Sequence, residues 1–184
     1  IVQYLGVNQL FIASALFAII ALVMFSMLPE TKPAEAKRKF EFNIKSLFYI
    51  PAWKPALLMF LVCISLGSIL TVMPDYTISL GYANKGLYLT IYITFSLIFR
   101  LFSGSVSDKL GRPWSTAIGT LGQLISMLLL IFNPFQYAFF ISAFFYGIGQ
   151  GFNAPSLFAW AGDTATGQNR GKALAALFMM LELG

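Results

Sequence analysis

Apolar residues run along this chain in long, charge-poor blocks: Tyr4 to Leu28, Ala56 to Met73, Leu87 to Ser103, Trp114 to Phe132 and Tyr137 to Ala161. A helix rises about 1.5 Å per residue and the hydrocarbon core of a bilayer is about 30 Å thick, so each block is near or above spanning length. The pattern predicts five transmembrane helices. A further block, Ala173 to Gly184, holds twelve residues, about 18 Å of helix, too little to cross. The chain opens on Ile1 with no signal-peptide pattern before the first block, so it reads as part of a larger polytopic protein.

The polar connection from Pro29 to Pro55 is the one long linker. Its first part, PETKPAEAKRK, is charged and predicted to be solvated. In FEFNIKSLFYIPAWK, Ile44, Leu47 and Phe48 fall at helical spacing opposite Asn43, Lys45 and Ser46, with Trp53 as a headgroup-level anchor, which suggests a short helix lying on the inner leaflet. The alternative is an early start of the next span, against which Pro51 and Pro55 stand.

Composition agrees with the blocks. Hydrophobic residues make up 58% and charged residues 10%, against roughly 45–50% and about 25% in soluble domains. A soluble domain and a disordered chain are both excluded. The net charge of +5 does not indicate nucleic acid, because the basic residues sit between apolar blocks and form no stripe. The sole cysteine, Cys63, lies inside an apolar block and there is no histidine, so a disulfide framework, a His-containing zinc site and a Ser-His hydrolase are poor fits. No metal and no cofactor is expected.

Lys and Arg choose the sides. The connections 29–55, 104–113 and 162–172 carry six, two and two of them, whereas 74–86 carries only Lys85 and 133–136 none. Arg100 is placed in the last turn of the third span, where its stem reaches the headgroups. This excess puts 29–55, 104–113 and 162–172 in the cytoplasm and Ile1 outside, as in a multi-pass protein of the cell membrane.

The stretch RLFSGSVSDKLGRPWS stands between the third and fourth spans. Gly104 permits close backbone approach, Asp108 offers an acceptor at the membrane boundary, Gly111 allows a left-handed turn, and Pro113 is placed to start a helix. A rigid hairpin follows. A carboxylate held there could accept hydrogen bonds from the first N–H groups of a neighbouring helix, with Lys109 and Arg112 balancing its charge. Such a contact exists only while two helix ends lie together, so it favours one conformation over another. The plainer alternative is a polar turn held at the surface by its charges.

Depth separates the remaining polar residues. Glu182 lies ten residues beyond Lys172, about 15 Å along a helix and close to the bilayer midplane, where a carboxyl group tends to keep its proton. It suits proton coupling or a cationic solute; the alternative is a neutral structural Glu. Gln123 and Ser126, Gln150 and Asn153, Asn8 and Gln9, and Thr90 and Thr94 are cavity candidates, although such residues also bond simply from helix to helix. Gln150 and Asn153 stand out because Gly149, Gly151 and Pro155 are expected to loosen the helix beside them.

The spacing Gly104-x3-Asp108-Lys109-x-Gly111-Arg112 resembles the cytoplasmic-loop signature of the major facilitator superfamily of secondary transporters. GIGQGFNAPSLFAWAGD followed by RGKA resembles that family's tenth helix and the turn into its eleventh, with Gly147 and Gly151 spaced for close helix contact. Pro113 departs from the pattern, standing where the family often has a second basic residue. The resemblance implies an all-α polytopic membrane protein, an incomplete C-terminal helix bundle. Residues 1–28 become the last helix of an N-terminal bundle, 29–55 the cytoplasmic linker, and 56–184 a truncated C-terminal bundle whose N-terminal partner half is missing. It further implies transport of a small solute by alternating access, with Arg100, Gly104, Asp108, Lys109, Gly111, Arg112, Asp163 and Arg170 biasing an inner gate. For Asp163 and Arg170 an ordinary solvated loop is equally open. Protons are the expected coupling ion, with proton-coupled antiport and efflux of a drug, sugar or metabolite ahead of proton-coupled uptake. A channel lacks visible charge rings or a carbonyl filter, and a membrane-embedded enzyme lacks any nucleophile and base arrangement.

Overall fold

The computed structural model describes residues 7–28, 49–132, 136–165 and 167–184. They form six α-helices: α1 (Val7–Ser26), α2 (Trp53–Ser79), α3 (Leu87–Leu110), α4 (Arg112–Phe132), α5 (Gln136–Asp163) and α6 (Arg170–Leu183). One 3-10 turn precedes α2 at Ile50–Ala52 and another precedes α6 at Gly167–Asn169. No strand occurs among the described residues. The fold is all-α, as the hydropathy blocks predict. Of the linker, residues 29–48 lie outside the described residues, and with them the expected inner-leaflet helix at Ile44, Leu47 and Phe48.

The chain divides into two units, Ile1–Glu41 and Phe42–Gly184. The first contains α1, a 20-residue helix with apolar side chains on every face. The second contains α2 to α6.

The helices sit where the apolar blocks lie, but several ends differ. α2 begins at Trp53, ahead of the expected Ala56, and takes in Pro55. Proline does not break it there, because the first turn of a helix has no internal partner for the missing N–H. α2 also continues through Pro74 to Ser79, and α3 continues through Gly104 to Leu110. The predicted 104–113 loop is therefore mostly helix, and Arg100 stands ten residues before the end of α3, about 15 Å from it rather than in its last turn.

Among the described residues three helices are long and apolar enough to cross a membrane: Ile50–Ser79, counting the leading 3-10 turn, Leu87–Leu110 and Arg112–Phe132. α1 offers a shorter apolar stretch, Phe11–Ser26. α5 is longer than any of these helices without its turn, at 28 residues, but Gln150, Asn153 and its glycines dilute its hydropathy. Most of those diluting residues face protein, not lipid.

α5 is the centre of the second unit. Its first half packs Phe139, Ala143 and Tyr146 against Ile69 and Met73 of α2 and Tyr88 and Tyr92 of α3. Its second half packs Leu157 and Ala161 against Met59, Val62 and Cys63 of α2 and Leu177 of α6. Glycines let its backbone touch two neighbours. A Cβ on Gly147 would stand 2.9 Å from the Tyr92 carbonyl oxygen, and one on Gly151 2.9 Å from that of Ser96, both on α3. Gly149 meets α4 across from Gly119 and Gly122, where a Cβ on Gly122 would stand 3.2 Å from the Gly149 nitrogen. The expectation that Gly149, Gly151 and Pro155 loosen α5 is not met: the helix is continuous through all three, and both glycines serve close approach by neighbouring backbones.

Candidate functional site

Gly111 is the whole connection between α3 and α4. Its φ of +91° and ψ of 155° lie in a region open to glycine, so the chain reverses within one residue. The reversal sets Arg112, the first residue of α4, beside the last turn of α3. Arg112 Nη1 donates to Asp108 Oδ1 at 2.6 Å and to Ser107 Oγ at 2.9 Å. Its Nε donates to Asp163 Oδ2 at 2.8 Å. One planar guanidinium thus ties the ends of α3, α4 and α5 together, using the fork geometry that a lysine lacks.

The two carboxylates are exposed, with 67% of the Asp108 side chain and 58% of the Asp163 side chain accessible. Exposed ion pairs contribute about 0–1 kcal/mol each. The cluster is therefore weak enough to form and break at little cost.

Of the residues picked out by sequence, Asp108, Arg112 and Asp163 come together around Gly111. The partner of Asp163 is Arg112, not Arg170. Asp108 takes the guanidinium in place of the helix N-terminal N–H groups expected for it. Lys109 and Arg170 are exposed and make no ion pair among the described residues. Arg100 is likewise exposed and forms none. Gly104 makes no close backbone approach, since a Cβ built on it meets nothing within 4 Å.

A second polar group lies inside the bundle. Asn153 of α5 is fully buried and donates through Nδ2 to Gln123 Oε1 of α4 at 3.0 Å. The Nε2 of Gln123 is buried with no hydrogen-bond partner. Gln123 lines a cavity of about 240 Å³ between α2 and α4, with Leu58, Val62, Ser65, Thr120 and Met127 also in its wall. A buried amide donor without a partner can be satisfied only by an acceptor brought from outside the described side chains. Gln150 belongs to a different chain of contacts: it donates to the Tyr146 hydroxyl at 3.2 Å, which lies 3.5 Å from Ser65 Oγ of α2.

Glu182 is exposed, near the end of α6 and two residues from Gly184, which packs against α2 at Phe60, Cys63 and Ile64. Thr90 and Thr94 bond to backbone carbonyls four residues back, at 2.9 and 2.8 Å, and so supply no cavity group. Residues not singled out by sequence include Ser107 in the charge cluster and Tyr88, whose hydroxyl meets Ser142 at 2.9 Å and Ser126 at 3.3 Å. Tyrosine inside an apolar helix is itself a signal, because its hydroxyl needs a partner when buried. Ser115 and Ser156, 2.6 Å apart, link α4 to α5 in the same way.

The sequence model of the Major Facilitator Superfamily matches residues 56–184, more than half of the chain. No curated protein and no solved structure matches it.

Proposed function

The chain belongs to the major facilitator superfamily, whose members are membrane transporters, and from that premise we propose that it is a secondary active transporter moving a small solute by alternating access, in the efflux direction and in exchange for protons. The observation that carries this reading is the Arg112 fork between Asp108 and Asp163, a set of breakable contacts at the ends of three helices. Residues 56–184 form the C-terminal bundle in this reading, and 1–28 end an N-terminal bundle that rocks against it. The Lys and Arg excess supports a place for the Arg112 cluster on the cytoplasmic side of the cell membrane.

Gly111 sets the geometry of this gate, while Gly104, Lys109, Arg100 and Arg170 act around it. Gln123 and Asn153 supply a hydrogen-bonding wall, supported by the unpaired Gln123 amide next to its cavity. Gln150 shapes the neighbouring wall through Tyr146. Glu182 carries the coupled proton, supported by its place about 18 Å along α6, near the middle of a bilayer. The bundle performs no covalent chemistry on its solute.

The test is counterflow in vesicles carrying the full-length protein, with tetraphenylphosphonium, a sugar and an amino acid as trial solutes and a pH dye inside. Transport accelerated by solute on the far side, with protons moving in the opposite direction, is the expected result. Flux without trans-acceleration would indicate a channel, and co-directional proton movement would indicate uptake. Glu182→Gln is expected to flatten the pH dependence of exchange; a full pH profile in that variant removes Glu182 as the coupling group.

A further inference from the structure

α2 and α6 start at the same end of the second unit, where Ala52 packs with Ala165 and Ala173. Their first turns leave an open apolar groove of about 250 Å³. Trp53 and Leu57, one turn apart on α2, line it with Ala176, Met179 and Met180 of α6, and Tyr49 lies just ahead of them. Trp53 is 55% exposed and Ile50 beside it 77%. Amphipathic Trp and Tyr at a helix end mark the level of lipid headgroups, so the groove begins at that level and runs into the hydrocarbon.

Unpaired positive charge surrounds its beginning. Lys54 Nζ lies 6.0 Å from the centroid of the Trp53 ring. Lys172 stands one turn before Ala176 and two before Met180, on the same face of α6. Neither lysine makes an ion pair among the described residues, and the carboxylate of Asp163 is already held by Arg112. No side chain caps α2 or α6, so the N–H groups of both helix starts add to the positive field.

We propose that this groove binds an anionic phospholipid, with an acyl chain along Trp53, Leu57, Met179 and Met180 and the phosphate between Lys54 and Lys172. Charge selects the lipid class. A zwitterionic lipid brings its own cation beside two lysines, whereas phosphatidylglycerol brings a net negative headgroup.

Trp53 reports occupancy directly. In full-length protein that keeps Trp53 and has every other tryptophan, Trp114 and Trp160 among them, replaced by Phe, its fluorescence is followed in phosphatidylcholine vesicles. A fraction of the lipid is replaced by phosphatidylglycerol, or by phosphatidylcholine, brominated near the glycerol end of the acyl chains. Brominated phosphatidylglycerol is expected to reach half-quenching at a mole fraction about 25-fold below that of brominated phosphatidylcholine, about fivefold for each lysine. Lys54→Gln and Lys172→Gln each weaken this preference about fivefold, equivalent to about 1 kcal/mol per lysine near a lipid surface. Both lysines are solvent-facing, so the variants keep the fold, and Lys85→Gln at the opposite end leaves the preference intact. Equal quenching by the two brominated lipids overturns the proposal. So does quenching by neither, which would mean that another part of the protein fills the groove.

Discussion

Much of the proposed gate depends on one side chain, Arg112. Its three donated bonds reach Ser107, Asp108 and Asp163, on two helices besides its own. Arg112→Lys keeps the charge but loses the fork, so it holds one carboxylate at a time. With exposed pairs at about 0–1 kcal/mol each, folding stability should move little. A conformational equilibrium, by contrast, shifts about fivefold for each 1 kcal/mol. Arg112→Lys is therefore expected to slow counterflow several-fold with the melting temperature in detergent nearly unchanged; loss of rate in step with loss of stability would make the cluster a structural tie only. The spacing of Asp108 and Arg112 made half of this cluster legible in the sequence, because residues four apart across a glycine reversal can meet. Asp163 lies 51 residues from Arg112, and local spacing could only suggest its neighbour Arg170. The buried hydroxyls were less legible still. A Ser or Thr in an apolar helix can bond its own turn, as Thr90 and Thr94 do, or cross to a neighbour, as Ser126 and Ser142 do, and the sequence looks the same in both cases.

At the scale of elements, hydropathy located the helices and missed their ends for one physical reason. Apolar residues stop where the lipid stops, while backbone hydrogen bonding continues into water. α3 runs seven residues past Ser103 through GSVSDKL, and α2 runs six past Met73 through PDYTIS. The placement of close contacts was partly readable: Gly147 and Gly151 were expected to meet another helix and do, whereas Gly104 was expected to and does not. That contrast gives a paired test. A methyl group on Gly147 would stand 2.6 Å from the Phe95 Cβ and 2.9 Å from the Tyr92 carbonyl oxygen, atoms that no rotamer change can move away. Overpacking of this kind costs about 1–3 kcal/mol. Gly147→Ala should lower the melting temperature by several degrees. Gly104→Ala meets nothing within 4 Å and should hold or raise it, since alanine favours a helix interior over glycine by up to about 1 kcal/mol. If both variants melted alike, the α3–α5 backbone contact would not be limiting stability.

For the whole molecule, sidedness decides what the Arg112 cluster can gate, and charge and fold bear on it independently. α2 to α6 are joined by short connections, so the starts of α2, α4 and α6 share one end with the finishes of α3 and α5. That end holds Lys54, Lys109, Arg112, Arg170 and Lys172, while the opposite end holds Lys85, whose ammonium lies 3.6 Å from Asp75 in an exposed pair. The topology rule counts Lys and Arg near span ends and gives little weight to carboxylates, so neither Asp75 nor the Asp108 and Asp163 pair alters the outcome. Even without Lys54 and the rest of the linker, four basic residues against one support the proposed orientation with the Arg112 end in the cytoplasm. Cys63, the one cysteine of this sequence, is buried and gives a thiol that a membrane-impermeant maleimide does not reach, and any cysteine elsewhere in the full-length protein is replaced by Ser. Lys109→Cys is thus expected to be labelled only in inside-out vesicles and Lys85→Cys only in intact cells. The reverse pattern would place the cluster outside and leave it facing the wrong compartment for an inner gate.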